Sequence, residues 1–365
     1  MADHAQRRAA ARTAAAELGL DAVIVTPGAN LRYLTGYDAL PLERLTCLVI
    51  PSGAEPVLVV PRLERAAAEA SPANALDIAD WTDTDDPFAT VAGIVGDAKR
   101  IAVDDHMWAS RVMALRGVLP GAEQLLAGAM LTELRIRKTP EELDALRAAA
   151  AAIDMVHAAM GEWLRPGRTE REVGRDVADA ILAAGHRTVD FVIVGSGPNG
   201  ASPHHELSDR VIQPGDAVVV DIGGTMPSGY CSDETRMYAL GRPADEFLAY
   251  YDVLQSAQQA AVAAVRPGVT AEDVDAAARD VITEHGFGSH FLHRTGHGIG
   301  LETHEEPYIV TGNTRPLEPG MTFSIEPGIY LAGEHGARIE DIVACTSDGV
   351  ESLNRRPRDL VHLDG

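Results

Sequence analysis

Short β-branched runs bounded by proline and glycine mark the first third of the chain. "DAVIVTP" (21–27), "LTCLVIPSG" (45–53), "EPVLVVP" (55–61) and "RIAVDDH" (100–106) read as strands. Between them "RLERAAAEA" (62–70) reads as a helix, and the first twenty residues read as an opening amphipathic helix. Alternating helices and strands over 1 to about 125 predict a small α/β core of its own. Near 132 the texture changes. Residues 131–164, "LTELRIRKTPEELDALRAAAAAIDMVHAAMGEWL", form a long helical pattern with a start signal at Thr139-Pro140-Glu141. The expected division is a domain of residues 1–131 followed by one of residues 132–365.

The second domain contains an internal repeat. "RPGRTEREVGRDVADAILAAG" (165–185) aligns with "RPGVTAEDVDAAARDVITEHG" (266–286) at an offset of 101, sharing Arg, Pro, Gly, Thr, Val, Asp, Ile and Gly. "IQPGDAVVVDIGG" (212–224) aligns with "LEPGMTFSIEPGI" (317–329) at an offset of 105. In each copy a Pro-Gly turn feeds a strand that ends in a carboxylate, Asp221 in the first and Glu326 in the second. Two related α/β halves follow from this, each delivering acids from a strand.

Those acids come in pairs. Asp221 and Asp233 are separated by a glycine-containing turn, and so are Glu326 and Glu340. Each pair fits a hairpin with one acid on each arm. Four acids gathered by pseudo-symmetry repel one another, and unpaired buried charge is costly. Two divalent cations would neutralise them, with some carboxylates bridging. A nearby stretch, "HRTGHGIGLETHEEP" (293–307), holds His293, His297 and His304. One neutral imidazole added to the acids makes a mostly oxygen site suited to Mn²⁺ or Co²⁺ and open to Zn²⁺. Spacing alone does not say which histidine binds. The HExxH zinc pattern is absent, since "HRTGH" lacks its Glu.

Composition narrows the classes. A formal charge of −23 argues against a nucleic-acid-binding surface and suits a carboxylate-rich cation site. No apolar run is long enough to predict a membrane span. The N-terminus lacks the pattern of a signal peptide. Cys47, Cys231 and Cys345 are odd in number and far apart, which predicts neither disulfides nor a thiolate site and fits the cytoplasm. Cys231 reads as a small buried apolar residue. "GSGPNG" (195–200) matches a dinucleotide fingerprint only formally, because no helix pattern follows it. No GxSxG motif supports a serine hydrolase.

Five segments then carry a resemblance to a known family: "SGPNGASPHHE" (196–206), "VVVDIGGTMPSGYCSDETR" (218–236), "HRTGHGIGLETHEEP", "FSIEPGIY" (323–330) and "GARIEDIV" (336–343). They resemble the pita-bread metallopeptidases: Xaa-Pro aminopeptidases, prolidases and methionine aminopeptidases, with creatinase as a metal-free relative. The likeness spans the chain and implies an α/β (α+β) fold. A creatinase-like N-terminal domain would precede a pseudo-twofold pita-bread domain. It implies metal ligands Asp221, Asp233, His297, Glu326 and Glu340, all present, which disfavours the creatinase branch. Asp233 and Glu340 would bridge. Asp221 would bind the first metal only, and His297 and Glu326 the second only. The interval between the two aspartates is one residue longer than in many relatives, within the turn. Glu326 would pass the proton. His304, His293 and His204, with His205 as a rival to His204, would face substrate. Arg338 would steady the metal-binding carboxylates.

The implied activity is hydrolysis of the bond between an N-terminal residue and proline, by a dipeptidase or an aminopeptidase. Two divalent metals, Mn²⁺ first, a proline-containing peptide substrate and a homodimer belong to the same implication. The N-terminal domain is expected to cap the site and limit substrate length. A hydrolase of a small non-peptide C–N bond and a non-catalytic binding module are the competing classes, because fold does not fix substrate. Intact ligands argue against the second.

Overall fold

The computed structural model describes residues 3–363. The chain forms two compact units, Met1–Arg135 and Ile136–Gly365.

The first unit runs α1 (His4–Glu17), β1 (Ala22–Val25), α2 (Ala29–Thr35), β2 (Cys47–Pro51), β3 (Val57–Pro61), α3 (Arg65–Glu69), β4 (Asp77–Trp81), α4 (Pro87–Val95), β5 (Arg100–Val103), α5 (Ala109–Val118), β6 (Glu123–Leu126) and α6 (Gly128–Arg135). Its six-stranded sheet has the order β4-β3-β2-β1-β5-β6. β1, β2 and β3 pair antiparallel, and the outer pairings are parallel. One buried face gathers Ile24, Val49, Val59, Ile101 and Val103. The expected helix over 62–70 is a 3₁₀ turn (Arg62–Glu64) leading into the short α3.

The long helical pattern of 131–164 is broken in two. α6 stops at Arg135, and α7 (Pro140–Ala158) begins afresh. Pro140 lacks the N–H that a continuous helix needs and disfavours helical geometry at Thr139. Thr139 therefore caps α7, in a capping box with Glu142. The expected boundary at 131/132 falls inside α6.

The second unit continues with α8 (Glu170–Ala183), β7 (Thr188–Ser196), β8 (Ala217–Thr225), β9 (Cys231–Leu240), α9 (Asp245–Ala264) and α10 (Ala271–Glu284). It then runs β10 (Gly296–Gly298), β11 (Glu305–Ile309), β12 (Thr322–Ile325), β13 (Gly328–Leu331), β14 (His335–Arg338), β15 (Asp341–Thr346), β16 (Gly349–Ser352) and β17 (Val361–Leu363). One sheet has the order β17-β9-β8-β7, a second β11-β10-β12-β15-β16, and β13-β14 form a separate ribbon. α7 and α8 cover the first sheet through Ile153, Val177 and Ile181, which meet Val218, Val220 and Ile222. α9 and α10 cover the second through Leu254, Ala278 and Ile282, which meet Phe323, Ile325 and Val343. Side chains alternate along a strand. Val218, Val220 and Ile222 therefore face the first helix pair. Ala217 and Val219 join the other cluster, and Asp221 shares their face.

The repeat is visible in the backbone. Thr169 and Thr270, 101 apart, each cap a fourteen-residue helix with a capping box. Each also bridges a residue before its Pro-Gly turn, Val211 in one half and Pro316 in the other. Among the described residues, no helix is long and apolar enough to cross a membrane.

Candidate metal centre

The first pair of acids lies on one continuous hairpin. β8 pairs antiparallel with β9, Asp221 opposite Thr235 and Gly223 opposite Asp233. Directly paired residues share a face, and so do residues two apart. Asp221, Asp233 and Thr235 therefore project together. The second pair departs from the expected hairpin with an acid on each arm. Both acids fall in breaks, Glu326 between β12 and β13 and Glu340 between β14 and β15. Register is kept across the break: Ile325 faces Asp341, and Gly328 faces Arg338. Counting inward from either side sets Glu326 opposite Glu340.

His297 arrives on β10, squeezed between β11 and β12. Its flanking glycines make that fit possible. A Cβ on Gly296 would lie 1.9 Å from the Ser324 carbonyl oxygen, and one on Gly298 would lie 2.3 Å from that of Glu306. The His297 N–H donates to Ser324 Oγ at 2.9 Å, and Ser324 Oγ donates to Glu326 Oε1 at 3.0 Å. Nδ1 of His297 lies 3.1 Å from the Gly298 carbonyl, so the proton sits on Nδ1. Nε2 then turns a lone pair toward Glu326 Oε1 at 3.2 Å and Asp233 Oδ2 at 3.6 Å. Burial, reinforced by His304, pushes the imidazole down to about 3, so it is neutral and these are not ion pairs.

Acceptor thus faces acceptor throughout the cluster. Asp233, His297 and Glu340 each bring a ligand atom within 4.8 Å of the others. Burial and mutual repulsion hold the carboxyls of Asp233 and Glu340 well above the usual range, and burial pushes Glu326 up to about 7. Asp221 Oδ1 is buried with no hydrogen-bond partner. Its other oxygen is bound by Arg338. Donors of this kind, hard oxygens and one properly protonated imidazole, fit divalent cations.

The surrounding groups hold these ligand atoms still. Arg338 also donates to Tyr330 Oη at 2.7 Å and to Thr235 Oγ1 at 3.2 Å. Thr235 Oγ1 donates to Glu340 Oε2 at 2.7 Å. Behind the acids, the buried Arg236 donates to the carbonyls of Thr235 at 2.9 Å and Glu340 at 2.6 Å, and to Asp341 at 2.7 Å.

The cluster lines a cavity of about 830 Å³, together with His204, His293, His304, Arg294 and Arg338. The His304 ring sits edge-on to His297, centroids 4.1 Å apart. His293 borders the cavity, but both its nitrogens are engaged. Nδ1 lies 2.8 Å from the Arg294 carbonyl, and Nε2 lies 2.9 Å from Tyr330 Oη. Burial pushes it down to about 4, which leaves it a neutral strut. His204 and His205 part company. His204 faces the cavity, whereas His205 Nε2 is 2.7 Å from Glu170. Cys231 is buried and its thiol is pushed up to about 11. After β7, "GSGPNG" turns through a 3₁₀ segment (Gly197–Ala201) and opens no α-helix.

Sequence reasoning missed Thr235, Tyr330, Ser324 and Arg294. The repeat could have exposed Thr235, since an offset of 105 places it at the position of Glu340. Arg294 lies over the Tyr308 ring, 4.3 Å from the centroid, and its guanidinium makes no hydrogen bond or ion pair among the described residues.

The chain is similar to known proteins along nearly its whole length. Residues 144–347 match the model of metallopeptidase family M24, and residues 7–137 match the creatinase/prolidase N-terminal domain. The probable dipeptidase PepE of Mycobacterium tuberculosis is 54% identical over 361 residues, 98% of this chain and 96% of its own length. The Xaa-Pro dipeptidase of Lactobacillus helveticus is 37% identical, over 93% of this chain and 94% of its own. The crystal structure of recombinant prolidase from Thermococcus sibiricus superposes with a TM-score of 0.94 at 36% identity, covering 100% of both chains. With a creatinase/prolidase N-terminal domain ahead of a pseudo-twofold pita-bread domain, the chain belongs to metallopeptidase family M24.

Proposed function

We propose that this protein is a dipeptidase that hydrolyses the bond between an N-terminal residue and proline. Asp221, Asp233, His297, Glu326 and Glu340 would hold two divalent ions, with Asp233 and Glu340 serving both. The preferred ion is Mn²⁺, and Co²⁺ or Zn²⁺ suit the same donors. One observation carries the reading: three buried carboxylates, the part-buried Glu326 and a neutral imidazole converge as acceptors, with Asp221 Oδ1 left unpartnered. The names of the Lactobacillus and Thermococcus relatives support the substrate. The cytoplasm and a homodimer complete the proposal. The free, buried cysteines are in keeping with a reducing compartment.

When bound, the ions supply positive charge that offsets the acids, polarises the scissile carbonyl and acidifies water near neutral pH. The chain's own groups do the rest. Glu326, fixed by Ser324, takes the proton from the attacking water and returns it to the proline nitrogen as the bond breaks. That nitrogen carries no hydrogen in the substrate, so the proton must be delivered. His304 and His204 face the carbonyl oxygen and the proline side. Arg338 keeps Asp221 aimed through its ion pair, and His293 braces Tyr330. Arg294, stacked on Tyr308 at the cavity wall and with no carboxylate partner among the described residues, suits the free carboxylate of a dipeptide.

The test compares Ala-Pro with a tetrapeptide beginning Ala-Pro, using chelator-stripped protein with and without Mn²⁺. Metal-dependent release of alanine from the dipeptide, at least tenfold faster than from the tetrapeptide, is expected. Equal rates mean an aminopeptidase. No cleavage of either with two metals bound would move the assignment to a small-molecule C–N hydrolase.

A further inference from the structure

His204 reaches the cavity from residues 202–210, a loop without regular structure, and its own side chain is exposed. Among the described residues its ring has no hydrogen-bond partner, so only the loop can aim it. One carboxylate holds that loop. Glu170, at the first position of α8, is 0% exposed. It accepts from the Ser196 N–H at 2.8 Å, Ser196 Oγ at 2.7 Å and Asn199 Nδ2 at 3.0 Å. It also accepts from Ser208 Oγ and from His205 Nε2, the latter at 2.7 Å. These donors come from the end of β7 and the 3₁₀ turn ahead of the loop, from Ser208 late in the loop, and from the residue next to His204. The helix N-terminus adds a favourable field for the acid.

The repeat supplies a comparison within the same chain. The residue 101 positions on from Glu170 is Ala271, also fully buried at the first position of a capped helix. In that half the buried acid stands one turn further along the helix, at Asp275, which accepts from the Thr295 N–H at 3.2 Å and Oγ1 at 2.7 Å much as Glu170 accepts from Ser196. The bonds to Ser208 and His205 are what the first half adds. A buried carboxylate is costly unless hydrogen-bonded throughout, and here two of its donors, Ser208 Oγ and His205 Nε2, come from the loop. Packing adds to the register, because Leu207 lies where a Cβ on Gly174 would fall, at 2.5 Å.

We propose that Glu170 and His205 form a positioning pair that fixes the reach and direction of His204 over the substrate. The pair touches neither substrate nor the acids at the metal centre and acts through its neighbour alone. This inference rests on the reading of His204 as a substrate-facing group.

The test is a double-mutant cycle on the metal-loaded enzyme with Ala-Pro: His204→Ala, His205→Ala and the double variant. Metal content and melting temperature are followed alongside. Each single variant should lower kcat/KM about tenfold or more, with metal content unchanged. A small displacement of a substrate-facing group is enough for such a loss. The double variant should fall within about twofold of His204→Ala, because a group that is absent cannot be misplaced. His205→Gln, which keeps an N–H donor toward Glu170, should recover most of the activity. Multiplicative losses in the double variant, or a His205→Ala enzyme as active as the parent, overturn the pair. An unaffected His204→Ala enzyme defeats the reading of His204 itself, and the pair falls with it. If His205→Ala proves insoluble, Glu170→Gln takes its place in the cycle, since it keeps the size of the side chain and removes the charge that His205 meets.

Discussion

In the first half of the C-terminal unit the hairpin of β8 and β9 is unbroken, and its acids sit within strands. In the second half the equivalent hairpin is interrupted twice, and the acids sit in the interruptions. The registers of the two are nonetheless related by the same offset of 105, which carries Asp221 onto Glu326 and Thr235 onto Glu340. It carries Asp233 onto Arg338 rather than onto a second acid. Of these three positions the duplicated scaffold keeps one matched and has two divergent. Divergence puts a hydroxyl against Glu340 and a guanidinium against Asp221. Four identical acids in one buried place would leave nothing to orient them. Duplication supplied the geometry, and its loss at two positions supplied the hydrogen bonds that hold it.

Breaking the comparison at its most consequential position means removing the acid that the second half lacks. Asp233→Ala should abolish metal binding and lower turnover by more than about a thousandfold, as judged by elemental analysis and the dipeptide assay. Full activity in that variant would remove Asp233 from the site. Arg338→Met takes away the counter-charge at the divergent partner. A buried charge left without its partner costs on the order of 3–5 kcal/mol, and the denaturant midpoint should fall accordingly. A midpoint equal to that of the parent would show that Asp221 does not depend on this arginine.

Two smaller changes sharpen the picture. Thr235→Val keeps shape and removes the donor to Glu340 and the acceptor from Arg338. About 1–3 kcal/mol should be lost, and Thr235→Ser should restore most of it. The smallest effect concerns what has stayed equal. Thr169→Ala and Thr270→Ala should each cost about 1 kcal/mol of stability, since both remove the same cap from the same kind of helix. Costs differing by more than about twofold would show that the repeats carry unequal shares of the fold.

The Pro-Gly turns and the helix start at Thr139 were legible because they are local, and the repeat because its two copies can be laid side by side. The turns and the helix start each depend on residues within a few positions of one another. The same holds for the β-branched strands of the first unit. The break at 136–139 was half legible. Pro140 was marked as a helix start, but helix-favouring residues on both sides of it concealed the stop at Arg135. Register across the second hairpin was not legible, because it depends on where β12 and β15 stop pairing. Nor was the state of His293, whose Nε2 is engaged by a tyrosine 37 positions away. Choosing between His204 and His205 likewise needed Glu170, 35 residues before His205. The acids stood out in the sequence as types, whereas their hydrogen-bond partners are set by tertiary contact.

The most direct test of the whole account is a calorimetric titration of chelator-stripped protein with Mn²⁺, with Ala-Pro cleavage assayed on the same samples. Saturation at two ions per chain, with activity rising as the sites fill, is the predicted result. Saturation below one ion per chain, or full cleavage by the stripped protein, would contradict it.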